Sequence, residues 1–320
     1  MKIDNLTFAS KSSGNSAVQS ASTPSKEAPH SLLRRVSKKS GLALDTTKDN
    51  RISKATSISL NNELIEFIEP KRSARDLVLS NENTFLLTNL VDEFQRSQEL
   101  RRHGLNPRSK ILFCGPPGCG KTLCAEVIAA ELKLPLLVAR LDGIITTYLG
   151  ETASNLRKVF DTASQIPCVL FLDEFDALAR TRTETSEHNE IRRVVNSLLT
   201  MIEKFNSKSL IIAATNLEAS IDRAAWRRFD EAILFDRPDL PQIRRTLRMK
   251  TRNFPKEFDP ARHASKMEGM SFSEIERICY SAIKQSILKR SKSLIESEFD
   301  KAIIDEQRRL SIRENIRNIS

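Results

Sequence analysis

The chain has few of the residues that disulfide-bonded or zinc-dependent proteins require. Its 320 residues include five cysteines and four histidines, and the His-Glu-x-x-His sequence of a zinc protease does not occur among them. The cysteines show none of the paired spacings of a metal site, and three of them are crowded into residues 114–124. We therefore expect reduced cysteines and a cytoplasmic location.

Long apolar runs are also missing from the sequence. No stretch approaches the roughly 18 apolar residues of a membrane-spanning helix, and the opening residues Met1-Lys2-Ile3-Asp4 lack the apolar centre of a secretion signal. A hydrophobic content of 39% and a charged content of 29% are ordinary for a soluble globular protein. The sequence therefore predicts about two folded domains and no membrane span.

The positive charge of the chain is concentrated near its beginning. The net charge is +10, and residues 1–60 hold ten Lys or Arg against four Asp or Glu. This segment is also rich in Ser and poor in aromatic residues, a composition typical of disorder. We therefore predict a disordered basic tail over residues 1–60, and we do not take the net charge as evidence of a nucleic-acid groove on the folded part.

One segment fits the phosphate-binding pattern G-x-x-x-x-G-K-[ST] at every fixed position. An apolar run at residues 111–114 precedes it, and a helical pattern at residues 122–132 follows it, so bound phosphates would lie at the positive end of a helix. Lys121 would reach the β and γ phosphates of ATP, and the Thr122 hydroxyl would hold Mg²⁺. The predicted nucleotide-contacting residues are Gly115, Pro116, Pro117, Gly118, Cys119, Gly120, Lys121, Thr122 and Leu123.

Two carboxylates follow another apolar run, which covers residues 169–172. The carboxyl end of such a strand is where an open α/β sheet places its site. Asp173 would bind Mg²⁺ directly or through water, and Glu174 would act as the general base that polarises the attacking water. A third apolar run ends before Asn216, which would orient the water or contact the γ-phosphate, although a Thr-Asn pair after a strand is more often just a turn.

Apolar runs alternate with helical patterns through the middle of the chain. This alternation predicts an α/β fold with a parallel five-stranded sheet flanked by helices. The phosphate-binding pattern makes it a sheet of the P-loop NTPase type. No strand-like run stands out after residue 239, so a small all-helical lid domain is expected there. The five strands are predicted at residues 111–114, 136–139, 169–172, 210–214 and 232–235.

The expected organisation has four parts. They are the tail at 1–60, a linker and helix at 61–105, the nucleotide-binding α/β domain at 106–239 and the helical lid at 240–320. Within the second part, a helix is expected over residues 81–103, with Ser80 as its cap and Gly104 as its stop.

Two adjacent arginines, Arg227 and Arg228, precede the last predicted strand. Adjacent arginines are usually solvated or paired with nearby acids. The functional alternative is an arginine finger that reaches the γ-phosphate held by a neighbouring subunit, which can be worth roughly 10³–10⁵ in rate.

These motifs, in this order, resemble the AAA ATPase family over residues 106–287. The segments 140–143 and 148–151 look like the first pore loop of that family and its flank, and residues 190–195 followed by Asn216 look like its second homology region. Residues 221–229 are similar to the shortened arginine-finger segment of katanin and spastin relatives.

The resemblance implies a homo-oligomeric ring, typically a hexamer, that binds ATP and Mg²⁺ between its subunits. In such rings a central aromatic residue grips an extended polypeptide, and here that residue would be Tyr148, with Leu149 beside it. One departure from the family pattern is Phe272-Ser273, which stands where relatives have two small residues facing the adenosine.

Three functions are consistent with the sequence. The leading hypothesis is an ATP-driven motor that remodels or unfolds proteins through a central pore, with an adaptor or a separately encoded protease as a further partner. A nucleic-acid motor or loader is less favoured, because Tyr148 stands where a DNA-tracking ring would want positive charge. A nucleotide-gated scaffold would have no need of Glu174 or of the arginine pair.

Overall fold

A computed structural model describes residues 64–144, 149–176, 188–205, 208–216 and 226–317. These residues form one six-stranded sheet with helices on both of its faces, followed by a group of C-terminal helices. The strands are β1 (Glu66–Ile68), β2 (Lys110–Cys114), β3 (Leu136–Arg140), β4 (Val169–Asp173), β5 (Leu210–Thr215) and β6 (Glu231–Leu234).

The strand order is β1-β3-β4-β5-β2-β6. All neighbouring pairs are parallel except β1 and β3, which are antiparallel. Cys114 at the end of β2 pairs with Thr215 at the end of β5, and β5 also adjoins β4. The carboxyl ends of β4, β5 and β2 therefore lie side by side at one edge of the sheet, where open α/β sheets bind their ligands.

Nine helices are assigned within the described residues. They are α1 (Asn81–Gln95), α2 (Ser97–Arg102), α3 (Lys121–Leu132), α4 (Leu141–Ile144), α5 (Leu149–Gln165), α6 (His188–Lys204), α7 (Leu240–Lys250), α8 (Phe272–Leu288) and α9 (Glu296–Arg317). A 3-10 helix at Pro260–Met267 joins α7 to α8.

The sheet is covered on both faces because its strands are apolar on both faces. Successive residues point to opposite sides of a strand, so Phe113 of β2 belongs to the cluster that includes α1 and α3, whereas Leu112 belongs to the cluster that includes α5 and α6. Both side chains are fully buried. A third apolar cluster, which includes Leu247 and Phe299, holds the C-terminal helices together.

The mostly parallel α/β fold with C-terminal helices confirms the predicted fold class. The expectation of five strands was incomplete, because β1 adds a sixth strand at the edge of the sheet. This strand has only three residues and pairs antiparallel through its backbone with β3. Such a short edge strand has too few residues to show a periodic pattern.

The helix expected over residues 81–103 is divided in two at Arg96. Its predicted cap is confirmed, because the Ser80 hydroxyl accepts a hydrogen bond from Asn83 N at 3.1 Å. Gly104 follows with a φ of +74°, as a helix-ending glycine does. Within the described residues, no helix is both long enough and apolar enough to cross a membrane.

Candidate active site

The phosphate-binding loop connects β2 to α3 and has glycine where the backbone needs it. Gly115 has a φ of +133°, and a Cβ atom there would lie 2.2 Å from the carbonyl oxygen of Phe235. Gly120 has a φ of +95° and caps α3. The first backbone hydrogen bond of α3 runs from Cys124 N to Gly120 O, so the N–H groups before it point out of the helix end. This end of α3 is suited to bind an anion.

The Lys121 ammonium is folded back into the loop. Its Nζ donates to the carbonyl oxygens of Gly115 at 2.5 Å and Pro116 at 3.1 Å, and to Asn216 Oδ1 at 2.8 Å. The residue is only 8% exposed, and this burial lowers the pKa of the ammonium. A phosphate brought next to Nζ would favour the charged form.

The two predicted carboxylates lie at the carboxyl end of β4. Asp173 ends the strand, and its Oδ1 accepts a hydrogen bond from Glu174 N at 2.9 Å. Glu174 has a φ of +54°, a left-handed conformation that non-glycine residues rarely adopt and that is often found at functional sites. The next residue anchors the turn to β5, because Phe175 N donates to Ala214 O at 2.8 Å.

Asn216 links the loop to this acidic turn. While its side chain accepts from Lys121, its backbone N–H donates to Asp176 Oδ1 at 3.3 Å. Asp176 is 1% exposed, and its charge opposes the fall in the pKa of Lys121 that burial causes. The sequence analysis did not single out Asp176. Its signal was a third acidic residue two positions after Glu174.

A cavity of about 380 Å³ brings most of the predicted nucleotide-site residues together, whereas Gly115 and Pro116 do not line it. The loop from Pro117 to Leu123 forms one side, and Asp173, Glu174 and Asn216 lie at the carboxyl edge of the sheet. Phe272 and Ser273, which the family resemblance placed near the adenosine, also line the cavity. The remaining lining comes from parts of the chain that the motifs did not indicate, and these residues are Asp76, Leu77, Val78, Thr246, Met249, Lys250 and Glu276.

The N-terminus of α8 rests directly on the phosphate loop. Ser273 N donates to Gly118 O at 3.1 Å, and a Cβ atom on Gly118 would lie 2.2 Å from Ser273 Oγ. Gly118 also has a φ of +77°, a left-handed conformation that favours glycine, so this position suits the close approach of the helix. Phe272, the departure noted in the sequence, lines the cavity beside it.

The predicted arginines lie at the opposite end of the sheet from the cavity, near the amino ends of the strands. They precede β6, whose first residue Glu231 pairs with Ile111 near the start of β2. A five-residue strand such as β2 is roughly 15 Å long, and the cavity lies beyond its far end. Arg227 is exposed, whereas Arg228 forms an ion pair with Glu203 of α6 at 3.1 Å.

Some predicted positions fall outside the described residues. Tyr148 and the tail at 1–60 are among them. Leu149, the second predicted pore residue, is the first residue of α5.

Cys119 is a small buried filler of the loop. It is 3% exposed, and burial raises the pKa of its thiol despite the opposing charges of Lys121 and Arg237. A raised pKa lowers the thiolate fraction at neutral pH, and the thiolate is the form that peroxide attacks. We therefore expect mild peroxide to slow ATP hydrolysis equally in the wild type and in Cys119→Ser. Protection by the substitution would show that Cys119 is an oxidation-sensitive switch.

Comparisons with known proteins agree with this geometry. Residues 111–237 match the family model described as ATPase family associated with various cellular activities (AAA). An uncharacterized AAA family ATPase of Sinorhizobium fredii, y4kL, is 57% identical over 247 residues, which are 77% of this chain and 75% of that protein. The ATP-dependent zinc metalloprotease FtsH of Rubrobacter xylanophilus is 34% identical over 194 residues, 58% of this chain and 30% of its own length. Nucleotide binding and ATP hydrolysis are the shared activities, and the chain belongs to the AAA family of ATPases.

Proposed function

We propose that this ATPase works as a homo-oligomeric ring, a hexamer, that remodels protein substrates through a central pore. The observation that carries the proposal is the separation of Arg227 from the cavity of its own chain. Because the two lie at opposite edges of one rigid sheet, an arginine that serves a γ-phosphate must serve the site of another subunit. Members of this family typically oligomerise, and a head-to-tail contact between identical copies forms a ring when the rotation between neighbours closes.

The cavity supplies the groups that ATP hydrolysis needs. The free N–H groups at the start of α3 and the Lys121 ammonium would hold the phosphates. Glu174 would take the proton from the attacking water, and Asn216 would orient that water. Asn216 accepts a hydrogen bond from Lys121. A γ-phosphate that draws the ammonium away would therefore break this bond and free the Asn216 side chain.

The same cavity fits Mg²⁺. The Thr122 hydroxyl and the Asp173 carboxylate both line it, and oxygen ligands of this kind are the ones that Mg²⁺ prefers. The ion would neutralise charge on the phosphate oxygens when bound.

The two arginines are expected to differ in their roles. Arg228 is tied to Glu203 of its own chain at 3.1 Å, whereas Arg227 is exposed at the position before it. We therefore assign the contact with the neighbouring γ-phosphate chiefly to Arg227. Arg228 would contact the same γ-phosphate only after breaking its ion pair with Glu203.

Protein remodelling is favoured over nucleic-acid handling by the pore residue. Tyr148 immediately precedes α5, and an aromatic side chain can grip an extended polypeptide without regard to its sequence. The FtsH relative is named an ATP-dependent zinc metalloprotease, so that protein combines ATP use with proteolysis. By analogy, a separately encoded protease or an adaptor would complete the function of this chain.

The test compares two classes of substrate. A reduced, carboxymethylated polypeptide that cannot fold is expected to raise the ATPase rate, and the rise should be kept in Tyr148→Phe and lost in Tyr148→Ala. Mixed-sequence duplex DNA should leave the rate unchanged. Stimulation by DNA that weakens steeply with salt, together with no response to the polypeptide, would replace this proposal with the nucleic-acid motor.

A further inference from the structure

The lid side of the cavity is where the nucleoside must lie. Phosphates bound at the start of α3 leave the ribose and base to the remaining walls, which include Leu77 and Val78 on one side and residues of α7 and α8 on the other. Leu77 and Val78 are apolar and buried, and they suit the base. The ribose hydroxyls need polar partners.

The cavity wall formed by α7 and α8 contains an ion pair. Lys250 Nζ of α7 lies 2.5 Å from Glu276 Oε1 of α8, with the two side chains 15% and 35% exposed. Both residues line the cavity. Burial raises the pKa of the nearby Tyr280 hydroxyl, and the Glu276 carboxylate adds to this rise. The Lys250 ammonium is the donor that fixes the carboxylate.

One donor does not exhaust a carboxylate, which has about four acceptor positions. A ribose presents two neighbouring hydroxyl groups, each a hydrogen-bond donor. Acidic side chains bind ribose hydroxyls in this way in other nucleotide sites. A carboxylate that is fixed before the ligand arrives loses little freedom when it accepts such a bond.

We propose that Glu276, positioned by Lys250, accepts a hydrogen bond from a ribose hydroxyl and makes this ATPase select ribonucleotides over deoxyribonucleotides. The inference rests on the proposed nucleotide site, and it adds a residue that determines which nucleotide the site prefers. Lys250 acts through Glu276 and is a positioning residue. It has no contact of its own with the sugar in this account.

The experiment measures dissociation constants by calorimetry for ADP, 2′-deoxy-ADP and 3′-deoxy-ADP. A hydrogen bond to a charged acceptor predicts that the wild type binds ADP about 10- to 100-fold more tightly than at least one deoxy analogue. In Glu276→Gln a neutral acceptor remains, so the preference should fall to about 2- to 10-fold. The double variant Lys250→Met/Glu276→Met leaves no unpaired charge, and it should bind ADP and its analogues about equally.

A matched control is available in a second ion pair, which joins the same helix to α9. Arg277 of α8 pairs with Glu306 of α9 at 2.6 Å, and neither residue lines the cavity. Glu306→Gln should therefore keep the wild-type preference, whatever it does to the melting temperature. Equal binding of ADP and both deoxy analogues by the wild type, or an unchanged preference in the double variant, would overturn the inference.

Failure of this inference can be told apart from failure of the ring mechanism. Binding of ADP requires neither hydrolysis nor an arginine from a second subunit. An active ring that ignores the ribose hydroxyls would refute only the role of Glu276. A strong ribose preference that depends on Glu276, in a protein whose sites work alone, would refute only the ring.

Discussion

Replacing Glu174 with Gln is expected to lower kcat for ATP hydrolysis by about 10²–10⁴-fold, the usual contribution of a general base. Gln has the same shape but cannot take up a proton from water. Because Glu174 projects from a left-handed turn at the carboxyl end of β4 and lines the cavity, the substitution should leave the phosphate loop intact. The measurement is kcat under saturating ATP, with the dissociation constant for ATP determined separately.

The control for this substitution is another exposed glutamate. Glu268 lies next to Gly269, ahead of α8, and does not line the cavity, so Glu268→Gln should hydrolyse ATP at the wild-type rate. Wild-type turnover in Glu174→Gln would rule out its role as the base. Weak ATP binding together with slow turnover would mean that the substitution damages the loop.

Replacing Arg227 with Ala is expected to lower kcat by about 10³–10⁵-fold, the range found for arginines that stabilise phosphoryl transfer. This corresponds to about 4–7 kcal/mol of activation free energy. The effect should fall more on turnover than on ATP binding, because such an arginine stabilises the charge that develops on the γ-phosphate in the transition state. Arg227→Lys keeps the charge but loses the planar fork of donors, and it should recover only part of the rate.

Arg228→Ala provides the comparison that separates rate from stability. It removes the partner of Glu203, so it should lower the melting temperature, whereas exposed Arg227→Ala should not. A normal kcat in Arg227→Ala with a large loss in Arg228→Ala would reverse the assignment of the finger. Normal rates in both would remove the arginines from the mechanism.

The sequence predicted the sheet and the phosphate loop because these features are local. Each parallel strand is a short apolar run buried on both faces, and the loop is a contiguous pattern between a strand and a helix. Asp173 lies near the loop because β4, β5 and β2 are neighbours and their carboxyl ends lie together. The alternation of strands and helices leaves only a few possible strand orders.

The parts that sequence did not predict depend on contacts between distant residues. Lys250 and Glu276 face the cavity only because the C-terminal helices fold back over a loop more than 100 residues earlier. The contact between Gly118 and Ser273 has the same origin. Arg227 and the cavity lie at opposite ends of the parallel strands. This separation depends on how the strands pair in the sheet, so no local sequence pattern predicts it.

The most direct test of the ring mechanism mixes two inactive variants. Lys121→Ala has a defective phosphate loop but an intact Arg227, whereas Arg227→Ala has the reverse. If the arginine of one subunit completes the site of the next, random assembly of an equimolar mixture in one ring restores about a quarter of the wild-type sites. The account also predicts a wild-type rate per subunit that rises with protein concentration. A mixture no more active than the average of its two components, with a wild-type rate independent of concentration, would show that each chain works alone and would contradict the account.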